Sequence, residues 1–326
     1  MIISRAPFRV SFCGGGSDIP SFYEQYGGCV LSTSIRKYVY LAINKSFDPS
    51  TITLKYSKAE VVNDPHKIEH KIFNQVLSDF GIKGIEITSM ADIPAGTGLG
   101  SSSSFTVALL KLMYTYAEKA ASTYKVAKEA CEVEINKLGN PIGKQDQFAA
   151  AYGGLRYYEF MPDGFVKVEP VIMKSDSYKR LQDNLVMVYT GEVRSASSIL
   201  GEETKNLASE SDKIEATKKL CVLTKELKTS LENNDIDALG SCLKAGWDIK
   251  KNLAHGITNP VVDEIINDAY KAGATGCKLL GAGGGGFVLA YCPTAEIKSK
   301  VKEATKGFRE MPFELDQSGV SIIFMD

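Results

Sequence analysis

Between Asp92 and Ser104 the chain reads DIPAGTGLGSSSS, and this glycine-rich bend constrains the fold more than any other stretch. Ahead of it, Ile85 and Ile87 alternate with Glu86 and Thr88 in the manner of a half-buried strand. Behind it, Phe105, Ala108, Leu109, Leu112, Met113 and Tyr116 recur at the spacing of an amphipathic helix. A strand, a glycine bend and a helix in that order bring unpaired backbone N–H groups and the positive end of a helix dipole to one point, where an anion is favoured. Gly96, Gly98 and Gly100 also suit a plain tight turn, and a single serine is enough to cap the helix. The run Ser101 to Ser104 goes further and supplies hydroxyls for phosphate oxygens and a metal. No Gly-Lys-Ser/Thr follows, so the bend is not a Walker A loop.

At 326 residues the chain exceeds the usual size of one domain, and two are expected. The first part reads as strands over Arg5 to Cys13, Cys29 to Asn44 and Ile52 to Tyr56. Helices are expected over Pro65 to Phe80 and over Lys125 to Leu138, the second stopped by Gly139, Asn140 and Pro141, with another starting near Gln145. A polar stretch around Lys174 to Asp183 sets the boundary, giving units 1–178 and 179–326. The second unit carries helices from Ser197 almost to Gly273, then strand Phe287 to Cys292, helix Thr294 to Thr305 and strand Val320 to Met325, which suggests a ferredoxin-like α+β domain.

A formal net charge of −1 provides no overall positive field for nucleic acid or an anionic membrane. No apolar run reaches membrane-spanning length. The seven cysteines are scattered and form no C-x-x-C pair, so they read as small buried hydrophobes of a reducing, cytoplasmic compartment. His66, His70 and His255 lack cysteine partners, which argues against zinc.

Glycine clusters twice more, at Gly14 to Gly16 and at Gly281 and Gly283 to Gly286. The later cluster fits G-x-G-x-x-G but runs into the apolar strand Phe287 to Ala290 instead of a helix, which disfavours a dinucleotide fold. Taken alone it reads equally well as a hairpin or as a place of close backbone approach.

In order, APFRVSFCGGGSD, PAGTGLGSSSS and KLLGAGGGG resemble the three motifs of the GHMP kinases, the superfamily of galactokinase, homoserine kinase, mevalonate kinase and phosphomevalonate kinase. GGGSD and GKQDQFAAAYGG look most like kinases of D-glycero-D-manno-heptose 7-phosphate, with fucokinase-type enzymes as near relatives. The resemblance implies a β-rich α/β N-terminal domain that carries the ATP loop, a ferredoxin-like C-terminal domain, and an active site between them. It implies ATP and Mg2+ as cofactors. Pro94, Gly96, Thr97, Gly98, Leu99, Gly100, Ser101, Ser102 and Ser103 then form the nucleotide loop, with Ser102 and Glu134 toward the metal.

By the same resemblance Asp146 is the base and Arg9 faces the transferred phosphoryl group. Asp18 contacts sugar hydroxyls, and Gly14, Gly15, Gly16, Gly283 and Gly284 line the sugar site. Galactokinases place a glutamate and a histidine where this chain has Gly15 and Gly16, so the resemblance points to open space and a sugar larger than galactose. A phosphate at the sugar's far end needs a cation, for which Lys144 and Arg194 are the candidates. The implied reaction phosphorylates the anomeric hydroxyl of the heptose 7-phosphate to the 1,7-bisphosphate. The alternatives are a fucokinase- or galactokinase-like sugar 1-kinase and a non-catalytic sensor of ATP and sugar, the latter disfavoured because a sensor needs no base.

Overall fold

The computed structural model describes residues 1–192 and 197–326. Two long strands, β1 (Ile2–Cys13) and β2 (Gly28–Lys45), pair antiparallel at the centre of the first sheet. From Ala6 onward β1 is buried on both faces, so its apolar residues run without alternation. Beside β2 lies β5 (Ile85–Ala91), then β3 (Ile52–Lys55) and β4 (Ala59–Val62), while β6 (Arg156–Phe160) and β7 (Val166–Pro170) extend from the other half of β2.

Against this sheet lies α3 (Ser101–Tyr116), packed between β1 and β2 on one side and α4 (Thr123–Cys131) and α5 (Gln145–Tyr152) on the other. The expected single apolar stripe is therefore too narrow. Val107 and Leu110 are buried as fully as Leu109, because helices cover the face that a surface helix would give to water.

The helix expected over 65–80 is split. A 3₁₀ turn at Pro65–Lys67 is capped by Asp64, and α2 (Lys71–Phe80) starts afresh where the His70 side chain accepts from the Phe73 N–H. Side-chain acceptors that satisfy backbone N–H groups compete with a continuous helix at that point. Likewise α4 does not run evenly to Leu138 but widens into a π turn at Glu132–Lys137.

The second sheet is antiparallel in the order β11-β8-β10-β9, built from β8 (Leu185–Tyr189), β9 (Gly276–Leu279), β10 (Phe287–Tyr291) and β11 (Arg309–Glu310). Helices α7 (Ser197–Ser209), α8 (Ser211–Glu232), α9 (Ala238–Lys250) and α10 (Pro260–Lys271) connect β8 to β9, and α11 (Ala295–Ala304) connects β10 to β11. That order and those connections are ferredoxin-like.

The strand that closes this sheet is the short β11, not the expected strand 320–325. The latter, β13 (Ser321–Met325), crosses back and pairs with β1, Ile2 opposite Met325 and Arg5 opposite Ser321. A shorter strand, β12 (Leu315–Asp316), pairs with β2. The outer edge of β1 would otherwise offer unpaired backbone groups, and β13 covers it.

All seven cysteines are free, and six of them are buried. Among the described residues no helix is long and apolar enough to cross a membrane.

Candidate active site

Arg9 sits mid-way along β1, almost wholly buried, and Asp146 lies in the first turn of α5. The two meet as a fork: Arg9 Nε donates to Asp146 Oδ1 at 2.6 Å and Nη2 to Oδ2 at 2.8 Å. Arg9 Nη1 donates to the Gly98 carbonyl at 2.7 Å, and the Arg9 backbone N–H to the Leu99 carbonyl at 3.2 Å. One residue of β1 thus grips both the acid and the glycine bend. A guanidinium has five N–H groups; these side-chain bonds use three, which leaves two for an incoming anion.

The bend itself is fixed by backbone packing. Gly98 has φ +81°, and a Cβ there would lie 2.4 Å from the Leu280 carbonyl oxygen. The third glycine cluster therefore serves close approach, its Gly281 resting on the Gly98 backbone. Gly281 and Ala282 line the cleft. Gly283 and Gly284, expected in the sugar site, pack instead on Ile257, whose carbonyl accepts from the Gly284 N–H at 3.0 Å. Within the loop, Gly96, Gly98, Gly100, Ser101, Ser102 and Ser103 line the cleft. Pro94, Thr97 and Leu99 shape it from behind: Thr97 Oγ1 donates to the Pro94 carbonyl, and the Leu99 side chain is buried in the core. Ser104, the last of the run, spends its hydroxyl on the Pro7 carbonyl at 2.8 Å.

Glu134 occupies the π turn and is 0% exposed, unlike the exposed Glu132 two residues earlier. It accepts from Ser102 Oγ at 2.5 Å and from Gln147 Nε2 at 2.8 Å. Burial holds its carboxyl above the usual carboxylate range. A buried carboxylate with one hydroxyl beside a helix N-terminus suits a hard cation that keeps most of its waters.

Asp18 is 1% exposed. It accepts from the backbone N–H groups of Gly16 and Gln145, each at 3.1 Å, and from Gln145 Nε2 at 2.9 Å. Burial outweighs these donors and pushes its carboxyl up to about 6. The open space expected at Gly16 is not there. A Cβ on Gly16, whose φ is +103°, would lie 2.4 Å from Glu203 Oε1, because the carboxylate of α7 fills that place and pairs with Lys250 of α9. At Gly15 the nearest atoms to an added Cβ are Gln145 Nε2 at 3.5 Å and Ser11 Oγ at 3.9 Å, ordinary van der Waals contact, so a small side chain fits there without a clash.

Lys144 does not reach this cleft. Its Nζ donates to the Gly164 carbonyl at 3.0 Å and lies 4.4 Å from the Tyr23 ring centroid, while its backbone N–H bonds to the Asp18 carbonyl. The chain thus brings Lys144 to the site by its backbone and sends its charge to the opposite side. Arg194 lies outside the described residues. Sequence reasoning missed Lys250 and Glu203, single charges on unremarkable helices with no local signal. It also passed over Lys278, although KLLGAGGGG contains it.

Residues 41–154 match the GHMP kinases N terminal domain, and residues 227–308 match the GHMP kinases C terminal domain. The chain belongs to the GHMP kinases. This GHMP kinase, a phosphotransferase by family, is 28% identical over 317 residues to the D-glycero-alpha-D-manno-heptose 7-phosphate kinase of Campylobacter jejuni, covering 94% of this chain and 93% of that one. Its fold superposes on the crystal structure of a D-glycero-D-manno-heptose 1-phosphate kinase from Bacteroides thetaiotaomicron with a TM-score of 0.81, at 27% identity and with all of both chains covered. The bifunctional fucokinase/GDP-fucose pyrophosphorylase of Arabidopsis thaliana is 27% identical over 91% of this chain, which spans 30% of that longer protein.

Proposed function

We propose that this GHMP kinase transfers the terminal phosphoryl group of ATP to the anomeric hydroxyl of a sugar phosphate, D-glycero-D-manno-heptose 7-phosphate. The observation that carries the reading is the fork between Arg9 and Asp146 set against the Gly98 carbonyl, since it joins a cation, an acid and an anion-binding bend in one cleft. The full-length similarity to heptose kinases supports the sugar.

Phosphoryl transfer depends on positioning and charge neutralisation more than on covalent help. The backbone N–H groups at the start of α3 hold the phosphates, and the two spare N–H groups of Arg9 meet the oxygens where charge builds up. Asp146 accepts the proton of the sugar hydroxyl as its oxygen bonds to phosphorus and the bond to the bridging oxygen of ADP breaks. Ser102 and Glu134 would hold Mg2+, which supplies charge neutralisation to the phosphates.

A panel of purified sugars and sugar phosphates, assayed for ADP release, tests the assignment. Turnover is expected with the heptose 7-phosphate and not with galactose or fucose; the reverse pattern removes the heptose assignment. Asp146→Asn is expected to retain nucleotide affinity and to lower kcat by about 10²- to 10⁴-fold, the usual contribution of a general base. Near-normal turnover in that variant would take Asp146 out of the mechanism.

A further inference from the structure

Lys278 lies on β9, at the cleft wall formed by the second unit. Its Nζ donates to the carbonyls of Ser11 at 2.9 Å and Phe12 at 3.3 Å, the place where β1 slips register against β2. Two of its three N–H groups are thereby used, and one remains. Among the described residues no carboxylate forms an ion pair with it. The charged and titratable groups that act on it are the thiols of Cys13 and Cys242 and the cations Lys250 and Arg9. Part of its surface opens to the cleft, yet it is set deep enough that desolvation pushes its ammonium down to about 8.

Of these groups only the Cys13 and Cys242 thiols favour the ammonium, and no carboxylate neutralises it among the described residues, so the cleft is short of an anion at that corner. A second observation points the same way. Ser11 Oγ, in a residue 5% exposed, has no hydrogen-bond partner, nor has Gln145 Oε1, and both lie within 4.0 Å of a Cβ placed on Gly15. The Ser11 hydroxyl is thus a free donor on the residue whose carbonyl holds the ammonium, whereas the Gln145 oxygen is an acceptor that suits a hydroxyl and not an anion.

We propose that Lys278 binds a phosphate group of a substrate, presenting its remaining N–H to the phosphate oxygens while the Ser11 and Phe12 carbonyls hold the ammonium in place. The proposal rests on the kinase reading above. The phosphate has two possible sources: the terminal phosphate of the nucleotide, and the phosphate that the acceptor sugar already carries. Lys144, turned toward Tyr23, leaves either role open to Lys278.

The test uses the full chain and its Lys278→Met and Lys278→Arg variants. Calorimetry measures binding of AMPPNP, of D-glycero-D-manno-heptose 7-phosphate and of inorganic tripolyphosphate, each alone, in two buffers of different ionisation enthalpy. Lys278→Met is expected to bind at least one of these ligands about tenfold or more weakly, the scale of a lost charge-assisted hydrogen bond, with Lys278→Arg recovering part of it. A bound phosphate raises the ammonium's affinity for its proton. Wild type should therefore take up protons on binding at a pH near or above 8, and Lys278→Met should not.

Loss confined to AMPPNP and tripolyphosphate assigns the nucleotide's phosphate, and loss confined to the sugar phosphate assigns the acceptor's. Unchanged affinity for all three overturns the proposal. So does a lower thermal midpoint with all ligands weakened equally and proton uptake intact, which marks Lys278 as a structural tie only. Tripolyphosphate keeps the two readings apart: if its binding depends on Lys278 while the sugar phosphate is ignored, the substrate assignment fails and the phosphate site stands.

Discussion

At the residue scale the cleft is organised by side chains that each make more than one bond. Arg9 holds Asp146 and Gly98 together, and Asp18 collects three donors, one from Gly16 and two from Gln145 at the start of α5. Since burial raises the Asp18 carboxyl to about 6, its ionisation costs more in the folded protein than in the unfolded chain. The sign follows: ionisation of Asp18 weakens the fold above that pH, and the penalty fades as pH falls. The sugar contact expected of Asp18 runs the other way, because only the carboxylate accepts hydroxyl hydrogens with both oxygens. kcat/KM for the sugar is therefore expected to fall as pH drops through about 6 while the thermal midpoint gains from this residue. A pH profile that stays level through that range would disprove the role.

Arg9, Asp146 and Asp18 were legible in the sequence because each lies inside a motif whose neighbours are recognisable. The direction of Lys144 was not, since it depends on Tyr23 and Gly164, which are distant in sequence. Gly16 misled for the same reason: a missing side chain means room only if nothing else fills it, and the Glu203 carboxylate does.

At the element scale, the glycine bend and α3 were readable from local pattern. A strand, three glycines and a helix have their own signatures, and no distant partner is needed to form them. The π turn had no such signature, because α and π segments share the same apolar spacing over six residues; yet it turns Glu134 inward. Its burial is what separates this acid from its exposed neighbour.

Gly98→Ala tests the bend. A residue with a Cβ at φ +81° costs about 1–2 kcal/mol by itself. The Leu280 carbonyl, 2.4 Å from that Cβ, must also move. KM for ATP is expected to rise about tenfold or more, since 1.4 kcal/mol already corresponds to that factor. Gly81→Ala is the control: its φ is also positive, at +64°, but nothing lies within 4 Å of the added Cβ. It should lower the thermal midpoint slightly and leave KM for ATP unchanged. An unchanged KM in both variants would show that the bend tolerates displacement and does not set nucleotide binding.

At the scale of the whole molecule, the two units are not simply strung in sequence. The strand at 321–325 was visible as a strand, but its partner was not, because pairing between Ile2 and Met325 spans the chain and leaves no local trace. Removing residues 312–326 is expected to lower the thermal midpoint by at least about 5 °C and to promote association through the uncovered edge of β1. Differential scanning calorimetry and light scattering would show both, and a truncated chain that stays monomeric with an unaltered midpoint would mean that β13 contributes little.

The contact between Gly98 and Gly281 has a mechanical consequence. Where two backbones touch with no side chain between them, there is no rotamer to yield, so that point acts as a pivot. Gly286 meets the Thr97 carbonyl in the same way, so movement of the cleft walls about these contacts leaves the bend at Gly98 almost still.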